Sequence, residues 1–287
     1  MFLPERILQE KLRKFLEEDL GQGDLTTFLT IPKDVVVDAE VVAKERGLVA
    51  GVEEALALCG SLSLQAKALV SEASAVEPGT CILRIAGDGR TLLSTERILL
   101  NLLSRMSGVA TLTSRLVGRI EVAGYKTRLA CTRKGAVGLA YFDKKAAFLG
   151  GGDTHRLHLD DMILIKDNHL KIVGSVETAV KKARAAASFS KKIEVEVTSI
   201  EDALAAAKAN ADIVMLDNFS PNEIRKTVAS LEEEGVRRKV LLEASGGITE
   251  ENVLEYAATD VDIVSIGEIT HSVKALDVSL EVVKVTR

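Results

Sequence analysis

The sequence predicts an α/β protein: an incomplete, open α/β barrel of six or seven strands, preceded by a smaller domain of mixed strands and helices. Three observations predict it. From Thr127 onward, short apolar strands alternate with alanine-rich helical stretches, as in repeated βα units built on a parallel sheet. Their number falls short of the usual eight of a closed barrel. Before Thr127 the strands come without a regular helix after each one, which marks a separate α+β domain.

Taken in order, residues Pro4 to Leu20 predict an amphipathic helix. Ile7, Leu8, Leu12, Phe15 and Leu16 recur at helical spacing, Pro4 suits the first turn and Gly21 the stop. A turn is expected at Gly21-Gln22-Gly23-Asp24. Strands are expected over Val35–Ala43, Leu62–Val70 and Thr80–Ala86, with a turn at Glu77-Pro78-Gly79-Thr80. Leu92 to Val122 reads as one long helix or two consecutive ones. It is apolar on most sides, but Ser94, Arg97, Asn101, Ser104 and Gly108 form one stripe. So apolar a helix is expected to be buried, and a buried arginine needs a partner or a ligand; a subunit or domain interface is the plainer alternative.

In the second half, strands are expected at Arg128–Thr132, Met162–Lys166, Ile193–Val197, Ile213–Asp217, Val240–Ser245 and Ile263–Gly267. Helices are expected at Ser175–Ala187, Ile200–Ala209, Pro221–Glu234, Glu250–Ala258 and Ser272–Val283. Strand side chains alternate between faces, so Lys166, both Glu194 and Glu196, Asp217, and Glu243 with Ser245 each share a face opposite the aliphatic residues. Helices cover the outside of a barrel with apolar contacts, so the charged face points inward. Lys166, Glu194, Glu196, Asp217 and Glu243 then converge on one lumen, where isolated burial would be costly. They make either an ion-pair network that ties the barrel together, or a lysine for an anion beside carboxylates for a divalent cation. Hard carboxylate oxygens suit Mg²⁺, which keeps most of its waters and bridges to phosphates. His155 and His158 with no cysteine partner do not make a zinc site.

Composition bounds the function. The 287 residues carry a net charge of −5 and are 47% hydrophobic, enough for a good core and contrary to a general nucleic-acid binder. Cys59, Cys81 and Cys131 are isolated and read as reduced thiols of a cytoplasmic protein. Met1–Glu5 lacks a charged region followed by an apolar one, so no signal peptide is expected, and no apolar run approaches the roughly 20 residues that span a bilayer.

The chemistry concentrates in a few segments. Gly150-Gly151-Gly152-Asp153-Thr154-His155-Arg156 sets a cationic pair after a glycine turn, and Ile163-Leu164-Ile165-Lys166-Asp167-Asn168-His169 delivers charge at a strand's carboxyl end. The clustered cations predict an anionic ligand. Ser245-Gly246-Gly247-Ile248-Thr249 ends a strand and is expected to open a helix, as is Gly267-Glu268-Ile269-Thr270-His271-Ser272. Glycines let a phosphate approach the backbone, and paired loops after the last strands of a barrel are the usual phosphate site.

These segments together resemble the quinolinate phosphoribosyltransferase family over nearly the whole chain. The resemblance runs through Glu18–Thr27, Glu96-Arg97 and Leu100–Leu103, Ser107–Thr111, Thr132-Arg133-Lys134, Gly151–Arg156, Ile165–His169, Glu194–Val197, Leu216-Asp217-Asn218, Glu243–Ile248, Gly267 and Thr270–Ser272. It implies conversion of quinolinate and phosphoribosyl pyrophosphate to nicotinate mononucleotide, pyrophosphate and CO₂. It also implies an N-terminal α/β sandwich over residues 1–108, a barrel over 109–272 and a C-terminal segment, 273–287, able to pack on the first. It implies a homodimer, or a higher oligomer of dimers, whose active site is shared: Arg97 would reach the neighbour's quinolinate. Arg133, His155, Arg156 and Lys166 would hold the dicarboxylate. Lys134, Glu196 and Asp217 would hold phosphoribosyl pyrophosphate, the two acids with its Mg²⁺, and Ser245, Gly246, Gly247, Gly267 and His271 its phosphate groups. Lys134, Lys166, Glu196 and Asp217 are the expected catalytic residues.

One segment departs from the family. After Thr132-Arg133-Lys134 it usually continues Thr-x-Pro-Gly with a further arginine; here it reads Gly135-Ala136-Val137-Gly138-Leu139-Ala140. A more mobile loop and the loss of one cationic contact are expected, with Lys144 or Lys145 as candidates to compensate. The competing readings are a related phosphoribosyltransferase acting on nicotinate or another acidic ring, a molybdenum-transport-associated paralogue, a Schiff-base aldolase using Lys166, and a non-catalytic phosphate-binding barrel.

Overall fold

The computed structural model describes residues 3–286. These divide into two compact units, one of residues 3–112, 145–151 and 273–286, the other of residues 113–144 and 152–272.

The first unit opens with α1 (Glu5–Leu20), whose Leu8, Leu12 and Leu16 are buried at four-residue spacing. Each contributes about 2 kcal/mol of transfer free energy. Helix α2 (Leu25–Thr30) follows, capped by Asp24, which accepts from the Thr27 N–H at 2.9 Å. The expected turn at Gly21–Asp24 thus leads into a helix too short to show periodicity. Strand β1 (Val36–Ala43) alternates exposed and buried residues. The short β2 (Gly47–Leu48), α3 (Val52–Ser61), β3 (Gln65–Ala68) and β4 (Ala75–Val76) precede β5 (Cys81–Asp88). Helix α3 occupies a stretch given no element from the sequence, and β3 is a shorter version of the strand expected over Leu62–Val70.

Helix α4 (Gly89–Val122) is a single 34-residue helix. It buries Leu92, Leu99, Leu103 and Met106, yet Arg97 and Asn101 are exposed. Of the expected stripe, Gly108 is buried and Ser94 and Ser104 are half-buried, so the expected burial is corrected only at Arg97 and Asn101 in this chain by itself. The aliphatic positions provide enough apolar surface for one face, which leaves those two side chains outside it.

The helix expected at Ser272–Val283 is not formed. Residues Val278–Thr286 are strand β12, antiparallel to β1 with Val41 opposite Leu280, in a sheet ordered β12-β1-β5-β3. Edge pairing with β1 and the β-branched run Val282, Val283 and Val285 outweigh the weak helical spacing. All three cysteines are free, and burial pushes the Cys59 thiol up to about 12.

The second unit holds β6 (Arg128–Cys131), β7 (Ile163–Ile165), β8 (Ile193–Val197), β9 (Ile213–Asp217), β10 (Leu241–Ser245) and β11 (Ile263–Ile266). They form one parallel sheet in the order β6-β11-β10-β9-β8-β7, with β6 and β7 as unjoined edges, so the barrel is open and six-stranded. Helices α7 (Val176–Ala186), α8 (Ile200–Lys208), α9 (Pro221–Glu233) and α10 (Val253–Ala257) alternate with the strands. The alternation sorts side chains as expected: Val195, Val214, Leu242 and Val264 are fully buried in the aliphatic layer, while Glu194, Glu196, Met215 and Glu243 take the other face. Two helices escaped the sequence reading, α5 (Ala140–Leu149), which spans the boundary of the units, and α6 (Asp167–Val173). Helix α5 follows a glycine-containing loop, and α6 follows β7 after Lys166 alone and opens on the polar Asp167-Asn168-His169, which masked their starts.

Candidate active site

The carboxyl ends of the second unit's strands surround a cavity of about 340 Å³. Arg133 and Lys134 follow β6; His155 and Arg156 lie on a segment that bridges to the same strand at Ala130 and Asp153. Lys166 directly follows β7, Glu196 stands on β8, Asp217 ends β9 and Ser245 ends β10, all lining this cavity. The convergence follows from the register, which sets Glu196 beside Met215 and Met215 beside Glu243, with Asp217 beside Ser245.

The cationic wall has distinct supports. Lys166 precedes α6; its backbone N–H donates to His169 Nδ1 at 2.9 Å and its Nζ meets Glu196 Oε1 at 2.6 Å. Arg156 is buried, and burial with the nearby Arg133 charge pulls its pKa down, while Glu194 and Glu196 act the other way. No carboxylate pairs with Arg156 or Arg133 among the described residues. Two unpaired guanidiniums facing one cavity suit a ligand with two carboxylates, since each can hold one through parallel hydrogen bonds.

His155 is held between acids. Its Nε2 lies 3.2 Å from Glu194 Oε2 and 3.3 Å from Glu243 Oε2, out of line for a straight hydrogen bond, and both glutamates are fully buried. Its Nδ1 accepts the Arg156 backbone N–H at 2.8 Å. Burial lowers the imidazole pKa and the two glutamates raise it; because Nδ1 accepts the Arg156 N–H, the ring is the neutral tautomer with its proton on Nε2, facing the acids. Burial raises the pKa of Glu194. These three residues also satisfy the spacing of a cation site, but the His155 Nε2 already faces both acids, and Glu194 and Glu243 are fully buried, unlike the solvated carboxylates that suit Mg²⁺. Glu196 and Asp217, half-buried in the open cavity, are the better donors for a hard cation bridging to phosphate.

The glycine loops are shaped by close approach. Gly246 (φ +93°) and Gly247 (φ +64°) are both left-handed, and a Cβ on Gly246 would lie 2.3 Å from Asn218 Oδ1. Asn218 in turn donates from Nδ2 to Asp217 Oδ2 at 3.0 Å. The loop does not open directly into a helix: α10 starts only at Val253, shorter than the expected Glu250–Ala258. Beyond β11, Gly267 leads straight into α11 (Glu268–His271), and a Cβ there would meet His271 Nε2 at 3.0 Å and the Lys134 side chain at 3.4 Å. Gly267, His271 and Lys134 are thus neighbours beside Arg133.

Arg97 is not among the cavity's lining residues; it lies in the first unit. Lys145 does not compensate for the missing loop arginine, because it is buried with Glu53 at 2.6 Å and Glu54 at 2.8 Å in the first unit. Lys144 is buried too, and donates to the carbonyls of Cys131 (3.2 Å) and Thr154, bracing the strand end before Arg133 to the segment before His155. Nothing in the sequence distinguished these adjacent lysines. The link of His155 to Glu194 and Glu243 was also missed, although strand phase had placed both acids on the inner face.

Residues 24–107 match the description "Quinolinate phosphoribosyl transferase, N-terminal domain", and residues 109–281 its "C-terminal domain". The chain is 44% identical over 275 residues to the "Probable nicotinate-nucleotide pyrophosphorylase [carboxylating]" of Methanothermobacter thermautotrophicus, covering 96% of this chain and 99% of that one. It is 36% identical over 279 residues to the rat nicotinate-nucleotide pyrophosphorylase [carboxylating], covering 97% and 92%. The solved structure of the Francisella tularensis nicotinate-nucleotide pyrophosphorylase superposes with a TM-score of 0.88 at 38% identity, covering 98% of both chains. The chain belongs to the quinolinate phosphoribosyl transferase family. Its activity is that of a nicotinate-nucleotide pyrophosphorylase (carboxylating), a phosphoribosyltransferase of NAD biosynthesis.

Proposed function

We propose that the strand-end cavity performs this reaction with its two charge systems divided between the substrates. The observation that carries the reading is the pair of carboxylate-free guanidiniums, Arg133 and Arg156, lining one cavity with Lys166, Glu196 and Asp217. Arg133, Arg156 and Lys166 grip quinolinate, with His155 in the wall behind them. Lys134, Glu196 and Asp217 hold phosphoribosyl pyrophosphate, and Ser245, Gly246, Gly247, Gly267 and His271 cradle its phosphates. When Lys166 turns to the substrate, Glu196 is released from its 2.6 Å contact.

The pyridine nitrogen is itself a nucleophile, so no activated serine or cysteine is required. It bonds to ribose C1 as the bond to pyrophosphate breaks. Positive charge that develops near C1 is stabilised by a cavity carboxylate, and the departing negative charge by lysine. Mg²⁺, when bound at Glu196 and Asp217, supplies further charge for the leaving group. The quaternised ring then accepts the electron pair left as the adjacent carboxylate departs as CO₂, and the ring carbon takes a proton. The protein's share is positioning and electrostatics.

The exposed Arg97 on α4 supports a homodimer in which that arginine completes the neighbour's quinolinate pocket. A cytoplasmic setting is consistent with three free thiols and, among the described residues, no helix long and apolar enough to cross a membrane. The test is release of CO₂ and pyrophosphate from quinolinate and phosphoribosyl pyrophosphate, with nicotinate as control. Quinolinate-dependent, Mg²⁺-dependent release is expected; equal turnover of nicotinate would overturn the substrate assignment. Asp217→Asn is expected to weaken Mg²⁺-dependent phosphoribosyl pyrophosphate binding, and unchanged binding would remove Asp217 from the metal role.

A further inference from the structure

Glu194 and Glu243 stand on β8 and β10 with β9 between them, and neither exposes any surface. Two carboxylates so close to a site for a dianion are unfavourable by themselves, and burying them costs several kcal/mol each before any compensation. Apolar side chains of similar size would serve stability at least as well. What they touch is His155, the residue between Thr154 and Arg156.

That residue is the pivot of a short, over-determined segment. His155 has φ +51°, a conformation disfavoured for a side chain of its size. Its N–H donates to Asp153 Oδ1 at 2.7 Å, and Asp153 is tied to β6 through Leu129 O at 2.7 Å and Cys131 N at 3.0 Å. Lys144 holds the Thr154 carbonyl from another side. The imidazole closes the set: Nε2 faces both acids and Nδ1 receives the N–H of Arg156. With both ring nitrogens so engaged, His155 presents its ring, not a free nitrogen, to the cavity.

We propose that Glu194 and Glu243 are positioning residues for quinolinate recognition: through the His155 imidazole they fix the backbone of Arg156, and so the placement of its guanidinium. This rests on the assignment of Arg156 to quinolinate. Glu243 also lines the cavity and shares β10 with Ser245, but neither acid hydrogen-bonds to the glycine loop, whereas both face the imidazole that holds Arg156, so their effect falls chiefly on quinolinate. The apolar alternative would leave His155 Nε2 free to turn and Arg156 free to follow it.

The experiment compares steady-state constants for both substrates in Glu194→Gln, Glu243→Gln, the double variant and His155→Asn. Asparagine tolerates the left-handed backbone and keeps an acceptor near Nδ1, but cannot reach the acids. In the double Gln variant and in His155→Asn, KM for quinolinate is expected to rise at least about tenfold, with KM for phosphoribosyl pyrophosphate within about twofold. Adding His155→Asn to the double Gln variant is expected to cost less than about twofold more, because the three act as one unit. Equal shifts in both KM values, or an unchanged quinolinate KM, overturns the proposal. Circular dichroism checks folding; if the Gln variants do not fold, His155→Asn alone decides by the same criterion. Failure of the unmodified enzyme to release CO₂ and pyrophosphate from quinolinate would instead sink the underlying substrate assignment.

Discussion

Adjacent glycines at the end of β10 offer a comparison in which the same substitution has two different expected outcomes. Gly247→Ala meets nothing within 4 Å, so its cost is the left-handed backbone at φ +64°, about 1 kcal/mol. Gly246→Ala carries a similar backbone cost at φ +93° and also drives its Cβ to 2.3 Å from Asn218 Oδ1, 2.7 Å from Cγ and 2.9 Å from the backbone nitrogen. The side-chain atoms can swing away; the backbone nitrogen cannot, because it donates to Ser245 O at 2.8 Å. Relief requires breaking that bond or shifting the strand end, which adds roughly 1–3 kcal/mol. Asn218 also donates to Asp217, so the displacement reaches the carboxylate assigned to phosphoribosyl pyrophosphate and its Mg²⁺. Gly247→Ala should therefore lose about 1 kcal/mol in urea unfolding, and Gly246→Ala roughly 2–4 kcal/mol. Gly246→Ala should also lose at least about tenfold in kcat/KM for phosphoribosyl pyrophosphate, equivalent to about 1.4 kcal/mol. If the two variants are equally stable and equally active, the approach of Asn218 does not constrain this loop and the reasoning is wrong.

One further outcome is expected. Arg97→Ala and Lys166→Ala, each inactive alone, should recover partial activity when mixed and allowed to exchange subunits; demonstrated exchange without recovery would count against a shared site.

The strands of the second unit were legible because a strand covered by helices on one face and lining a lumen on the other writes both environments at period two. Glu194-Val195-Glu196-Val197 and Leu242-Glu243-Ala244-Ser245 show this directly. The first unit was harder to read. The segment at Val278–Thr286 pairs with β1, more than 200 residues earlier in the chain, and no local pattern announces such a partner. Helix α2 rests on one cap, Asp24, and has too few residues to show a period. Arg97 was placed on its stripe correctly, but whether that stripe is covered depends on apolar surface supplied by other elements.

By itself, the order of residues determined the alternation of strands and helices in the second unit, the inward phase of its acids and lysine, and, through its motifs, the family. These depend on contacts within a few residues or on short runs that demand particular chemistry. Only tertiary structure decided that Lys144 braces the site while Lys145 is spent on Glu53 and Glu54, that His155 faces Glu194 and Glu243, and that Gly246 is required by Asn218. Each of these is a meeting of atoms brought together by strand register and loop closure. A charged side chain long enough to reach several partners carries no local mark of which one it meets.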